Sequence, residues 1–219
     1  KETCSRHGYE ATFMAKPFLE ETGNGMHLHI SVYDDEEKNI FATTSRYGND
    51  YLKSAIAGLQ STFYDSFPIF IPNRNGYRRI KAGNFVPVNT SWSWNRRDVS
   101  LRIPAGSNKA KRIEHRAASA DANPYLVLAC VLAGLHNGLT NKLRPTNFVN
   151  FDNTKGADSI VDDEMPTNLE SSLNKFQNSN LLSKYFGKEY LDLYTSTKLG
   201  EIEHMSSSFI PKEEYDFYL

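Results

Sequence analysis

Seven residues near the start of the chain, Gly23-Asn24-Gly25-Met26-His27-Leu28-His29, form the first pattern with chemical potential. In a strand, residues two apart share a face and lie roughly 6.6 Å apart along it. His27, His29 and the following Ser31 therefore point into one space. Imidazoles so placed can ligate a metal, and glycines just ahead of them let a ligand approach the backbone closely. The same histidines could also be the exposed polar face of an edge strand. A second pattern, Lys111-Arg112-Ile113-Glu114-His115-Arg116, puts Arg112, Glu114 and Arg116 on one strand face. Mg²⁺ is often held by one or two carboxylates plus substrate phosphates, which flanking arginines could grip; the competing reading is a salt-bridge ladder across a sheet. A third set, Asn75-Gly76-Tyr77-Arg78-Arg79, Asn95-Arg96-Arg97 and Leu101-Arg102-Ile103-Pro104, flanks arginines with apolar strand residues, as expected of placed rather than merely solvated cations.

These motifs coincide with a segregation of charge. Residues 74–116 hold 11 Lys and Arg against two acids, Asp98 and Glu114, while the rest of the chain carries 14 basic and 24 acidic groups. Such a window, with Trp92 and Trp94 inside it, could be a nucleic-acid surface, a solvated face or a pocket for phosphates and carboxylates, which arginine forks grip in pairs. Glu114 favours the pocket: a carboxylate there hinders grip on a nucleic-acid backbone but suits a bound cation.

The elements that must position these residues can be sketched from periodicity. Met26 to Tyr33 alternates, with Met26, Leu28, Ile30 and Val32 on one face and His27, His29, Ser31 and Tyr33 on the other. Further strands are expected at Ala11–Phe18, Arg79–Val88, Thr90–Asn95, Val99–Ile103 and Lys111–Arg116. Leu52, Ile56, Leu59 and Phe63 predict a helix from Asp50 to Phe67, stopped by Pro68. Asn123 as N-cap and Pro124 at the first helical position open another, whose inward residues should be Tyr125, Leu128, Leu132 and Leu135, with Gly138 near its end. Residues 150–166 read as a polar surface loop. Helices are expected at Asn168–Phe176, at Leu181–Phe186, and along Leu191, Thr195, Leu199, Ile202 and Met205. Strands first and helices later argue an α+β fold with an antiparallel sheet.

The chain has 219 residues, 39% hydrophobic and 23% charged, an ordinary globular balance with room for one sizeable core. A net charge of −1 argues for neither a nucleic-acid nor a membrane partner. Two distant cysteines, Cys4 and Cys130, fit a reducing compartment, and with no signal sequence visible a cytoplasmic setting is expected.

Taken in order, the motifs resemble glutamine synthetase of the bacterial, long-chain type. The resemblance rests on Ala11-Thr12-Phe13-Met14-Ala15-Lys16-Pro17, Gly25 to His29, Asn75 to Arg79, Arg97, Leu101 to Pro104, Arg112 to Arg116 and Ala122-Asn123-Pro124-Tyr125-Leu126. It runs from about Ala11 to the C-terminus and loosens after Pro145. It implies the C-terminal part of a catalytic domain with a curved antiparallel sheet and helices on its outer side, a guanido-kinase-like architecture incomplete at its N-terminal side. A β-grasp-like N-terminal domain would lie upstream. His27 and Glu114 would then be ligands of Mg²⁺ (or Mn²⁺), and His29, Ser31, Lys109 and Arg112 would contact ATP. Gly23, Arg79 and Arg116 would hold glutamate, and Arg97 and Arg102 the phosphoryl group in transit. The implied reaction phosphorylates the γ-carboxylate of glutamate and lets an amine displace the phosphate. Large homo-oligomeric rings with shared active sites are also implied.

Two departures qualify this. Where glutamine synthetase itself has a mobile flap with a glutamate that helps deprotonate ammonium, the matching stretch Gly83-Asn84-Phe85-Val86-Pro87 has Phe85, which cannot accept a proton. That feature, the Arg-Ile-Glu-His-Arg run and the ending Glu214-Tyr215-Asp216-Phe217-Tyr218-Leu219 resemble the branch that makes γ-glutamylpolyamines or γ-glutamylputrescine. A polyamine acceptor is therefore preferred over ammonia, with an enzyme using ammonia and a non-catalytic structural relative as alternatives. The family's other metal carboxylates lie upstream of the residues seen here, so the 219 residues alone are expected to be inactive.

Overall fold

The computed structural model describes residues 1–153 and 156–208. Its elements run in the order α1 (Glu2–Arg6), β1 (Leu28–Ile30), α2 (Asp50–Ser61), α3 (Phe67–Phe70), α4 (Arg74–Tyr77), β2 (Trp92–Trp94), β3 (Leu101–Ile103), β4 (Ile113–His115), α5 (Pro124–Thr140), α6 (Leu169–Gln177), α7 (Asn180–Phe186) and α8 (Lys188–Ser208). The expected α+β class is what the structure shows: a small, curved, unclosed sheet of four strands ordered β1-β4-β3-β2, with helices α1–α4 ahead of β2 and α5–α8 after β4, so the strands do not all come first. β1·β4 and β3·β4 are antiparallel, but β2·β3 is parallel, so the sheet is not antiparallel throughout.

The register builds the site. His29 lies opposite Glu114, and Glu114 opposite Arg102. Because side chains alternate, these three share a face. The other face carries Leu101, Ile103, Ile113 and His115 into one core with Leu52, Ile56, Leu59, Phe63, Phe70 and Val131. Met26, Leu28, Ile30 and Val32 pack on that core, as their alternation predicts.

Helix starts follow their caps. The Asn49 side chain accepts from the Leu52 N–H at the head of α2, and Asn123 accepts from Tyr125 and Leu126 at the head of α5. Other expectations need correction. The residues of Ala11–Phe18 form no strand; Asn75 hydrogen-bonds both the N–H (2.7 Å) and the C=O (2.9 Å) of Lys16, so a side-chain amide takes the place of a neighbouring strand. Arg79–Val88 is a loop, because Gly83 (φ 78°) and Phe85 (φ 54°) leave the extended region. Pro68 lies in the first turn of α3 instead of ending α2. On α5, Tyr125, Leu128 and Leu132 are exposed, and Val127, Cys130, Val131, Gly134, Leu135 and Gly138 are buried. This helix is apolar almost all round, so spacing alone could not choose its face. On α8, Leu191 and Thr195 are buried while Leu199 and Met205 are exposed. The ending 214–219 lies outside the described residues. Among those described, no helix is long and apolar enough to cross a membrane.

Candidate active site

Glu114, 3% exposed, is the hub of the polar face. Its Oε1 accepts from His27 Nδ1 at 3.0 Å and from Arg116 Nη1 at 2.8 Å; its Oε2 accepts from Arg102 Nη1 at 2.7 Å. Burial alone would raise this carboxyl's pKa. The hydrogen bonds from His27 and Arg102 and the charges of Arg116 and Arg102 outweigh burial and hold the group well below the ordinary carboxylate range.

These residues surround a cleft of about 450 Å³ lined by His27, Phe85, Arg97, Arg102, Glu114 and Arg116. Three guanidinium groups face one carboxylate, so the space favours an anion. Buried Nε donors of Arg102 and Arg116 have no hydrogen-bond partner, which leaves capacity for a bound acceptor. Asn95, at φ 53°, directs Arg102 by accepting from its Nη2 at 2.7 Å. Arg116 is largely committed: its Nη2 donates to the carbonyls of Arg97 (2.9 Å) and Phe85 (3.3 Å). Arg96 points elsewhere, gripping Asp98 at 2.9 and 2.5 Å and the carbonyls of Asn150 and Asn153.

Two smaller groupings adjoin the cleft. In the first, Arg112 Nε donates to His29 Nδ1 at 3.0 Å. Burial is the first cause of the lowered His29 pKa, and Arg112 adds to it. The Ser31 hydroxyl is turned to the Lys111 carbonyl (3.4 Å), and Lys109 is exposed on a single 3₁₀ turn, Asn108–Ala110. Neither lines the cleft. In the second, Arg79 packs beneath the glycine motif. A Cβ on Gly23 would lie 2.5 Å from Arg79 Cγ and 2.7 Å from the Ala15 carbonyl, so glycine is required there. The Cβ position of Gly25 is 3.2 Å from Arg79 Nη2 and 3.7 Å from His27 Nε2, which brings the two side chains towards a common space. Arg79 Nη1 is buried without a partner, and burial lowers its guanidinium pKa to about 10. The structure thus unites His27, Arg97, Arg102, Glu114 and Arg116, places Arg79 and Gly23 beside them, and leaves His29, Ser31, Lys109 and Arg112 as a neighbouring group.

Sequence reasoning missed the support of Phe85. Its φ of 54° is unusual for a bulky residue and costs roughly 1–3 kcal/mol, so it persists only because the surroundings impose it. The ring is 63% exposed, while its N–H donates to Asp158 Oδ2 at 2.8 Å. Asp158, in the polar loop, gave no sequence signal beyond being one acid among several. Asn95 had one, since asparagine tolerates left-handed backbone and sits beside two arginines.

The family model for the glutamine synthetase catalytic domain matches residues 1–218. The chain belongs to the glutamine synthetase catalytic-domain family. It is 36% identical over 201 residues to gamma-glutamylputrescine synthetase PuuA of Escherichia coli (strain K12), covering 91% of this chain and 41% of that protein. It is 32% identical over 222 residues to a glutamate–isopropylamine ligase of Pseudomonas sp, covering 100% and 48%. It is 33% identical over 207 residues to the glutamine synthetase of Methanocaldococcus jannaschii, covering 92% and 46%. The solved structure of apo GmaS without ligand superposes with a TM-score of 0.81 at 25% identity, covering 98% of this chain and 49% of that one. The chain therefore spans about half the length of the relatives it matches.

Proposed function

We propose that the complete protein is an ATP-dependent ligase joining the γ-carboxylate of glutamate to an amine, with a polyamine such as putrescine preferred. The observation that carries this reading is the cationic cleft around Glu114, with Phe85 at its rim. The γ-carboxylate oxygen attacks the terminal phosphorus of ATP, the bond to ADP breaks, and γ-glutamyl phosphate forms. A neutral amine then attacks the acyl carbon, a C–N bond forms, the acyl C–O bond to phosphate breaks, and the extra proton on nitrogen passes to the departing phosphate or to solvent. Phosphoryl transfer asks chiefly for positioning and positive charge, and Arg97 and Arg102 supply both. Arg79, beside Gly23, and Arg116 hold the glutamate carboxylates in this reading, and the buried Arg79 Nη1 and Arg116 Nε donors lack a protein partner. His29, Ser31, Lys109 and Arg112 face the nucleotide.

The donor set suits one divalent cation in part. His27 and Glu114 meet at 3.0 Å, and Mg²⁺ that shares phosphates needs few protein ligands. Among the described residues no three His, Cys, Asp or Glu side chains are grouped for one ion, so further ligands must come from elsewhere. When bound, such an ion neutralises phosphate charge. The 219 residues form the C-terminal part of the catalytic domain in this reading. Alone they are inactive, and the complete protein, with a β-grasp-like domain ahead of them, assembles into a ring.

Phe85 argues for the amine. A phenyl ring takes no proton from ammonium or from an alkylammonium, so the choice rests on its face, which attracts a cationic amine and packs an aliphatic chain. Two relatives named for their amines, putrescine and isopropylamine, support the choice. Glutamate-dependent ATP cleavage by the complete protein, screened with ammonium, isopropylamine and putrescine, tests it. Putrescine should give the highest kcat/KM; ammonium outperforming every amine sinks the assignment.

A further inference from the structure

The loop that presents Phe85 is held from a distance in sequence. Three hydrogen bonds fix it: Gly83 N–H to the Asp158 carbonyl (3.1 Å), Phe85 N–H to Asp158 Oδ2 (2.8 Å), and Arg116 Nη2 to the Phe85 carbonyl (3.3 Å). Asp158 supplies two of the three acceptors, one from its backbone and one from its side chain. Gly83 takes its positive φ without cost, but Phe85 at φ 54° does not, so the turn at Phe85 is imposed from outside it.

Asp158 is itself immobilised. It is 5% exposed, although it belongs to a polar stretch between α5 and α6. The Asn89 amide donates to the carbonyls of its neighbours Ala157 (2.7 Å) and Ile160 (2.9 Å). Asp98, gripped by Arg96, accepts from the Ala157 N–H at 2.7 Å. A carboxylate is costly to bury unless donors satisfy it, and here a donor is the amide of the residue that forms the cleft rim. The chain of contacts runs from Arg96 through Asp98 to Ala157, along the backbone to Asp158 and on to Phe85, and returns through Arg116 to Glu114.

We propose that Asp158 is a positioning residue for the acceptor amine, fixing the 83–85 turn so that the Phe85 ring stands at the rim of the cationic cleft. This rests on the reading of Phe85 as the amine-facing wall. Asp158 touches neither phosphate nor glutamate in this account and reaches Arg116 only through the Phe85 carbonyl, so its loss should affect amine capture more than the first half-reaction.

The test compares Asp158→Ala and Asp158→Asn in the complete protein, with putrescine as the amine. The alanine variant should raise the putrescine KM about tenfold, the equivalent of one lost hydrogen bond, with the KM values for ATP and glutamate rising far less. The asparagine variant, which keeps a side-chain oxygen for the Phe85 N–H, should restore the putrescine KM. An unchanged putrescine KM in folded Asp158→Ala, or an equal rise for all three substrates, overturns the proposal. Amide hydrogen exchange judges the anchor separately, including where the alanine variant does not fold. In the wild type the Phe85 amide should exchange more slowly than that of Asn84; equal rates overturn the proposal. Absence of turnover with every nitrogen donor would refute the ligase reading, while the exchange comparison still decides whether Asp158 holds the turn.

Discussion

Glu114 serves two physical roles that substitutions can separate. It is the shared acceptor of His27, Arg102 and Arg116, and nearly all of it is buried. Glu114→Ala leaves two arginines facing each other without an anion, so urea denaturation should show a loss of roughly 3–5 kcal/mol, as for a broken buried pair. Glu114→Gln keeps an oxygen acceptor and should cost less stability. Turnover of the complete protein should nevertheless fall about 100-fold or more in Glu114→Gln, the scale of losing a preorganised electrostatic group. Retained turnover would remove Glu114 from the reaction centre.

His115, the next residue, faces the opposite way. Fully buried against Phe63 and Phe70, with ring centroids at 5.5 and 4.7 Å, it has a pKa lowered to about 3, first by desolvation and then by His27. A histidine with a depressed folded pKa binds protons more readily in the unfolded chain. Its stabilising effect is therefore complete above the unfolded value of 6.5 and is lost as pH falls from there towards about 3. Unfolding measured across that window should lose up to ~1.4 kcal/mol per pH unit from this one group. His115→Leu should flatten the slope; an unaltered slope would show that other groups control it. At this scale alternation put His27 and Glu114 each on a polar strand face, and the resemblance to glutamine synthetase implied that the two meet. The support from Asn95 and Asp158 was not legible, because it depends on backbone with positive φ and on contacts far apart in sequence.

At the scale of elements, α2 and α5 pack closely enough to exclude side chains. A Cβ on Gly58 would stand 2.0 Å from the Gly134 carbonyl and 2.6 Å from Gly138 Cα. Gly58→Ala should thus destabilise by about 1–3 kcal/mol through overpacking, read as a lower urea midpoint. Gly200→Ala, within α8 and with nothing within 4 Å of the new methyl, should stabilise by roughly 0.4–1 kcal/mol. Both variants shifting in the same direction would contradict this packing. The glycines also explain which face of α5 was hidden from periodicity. Small residues decide how near two helices come, and a row of leucines on the far side carries the same spacing. The start of α5 was legible because Asn123 and Pro124 act locally. The side chains that replace strand pairing at Lys16 act over 59 positions and leave no local pattern.

For the whole molecule, one polarised sheet organises the chain. Its apolar face joins the helical core, and its charged face gathers cations from three separated stretches of sequence. The α+β class was legible because period and composition change along the chain, but the expected order of strands before helices was not met, since α1–α4 come before β2. The parallel pairing of β2 with β3 was not legible, since alternation does not encode strand direction. The charge segregation is resolved as well: Arg97, Arg102 and Arg116 converge on a cleft, whereas Arg96 and Arg74 tie loops and helices together.

The central claim is that this cleft transfers phosphate to the γ-carboxylate of glutamate. Glutamate labelled with ¹⁸O in that carboxylate, incubated with ATP, putrescine and the complete protein, tests it most directly. One labelled oxygen should appear in each inorganic phosphate released, and Glu114→Gln should slow the release about 100-fold or more. Phosphate formed at the normal rate without label would contradict the account.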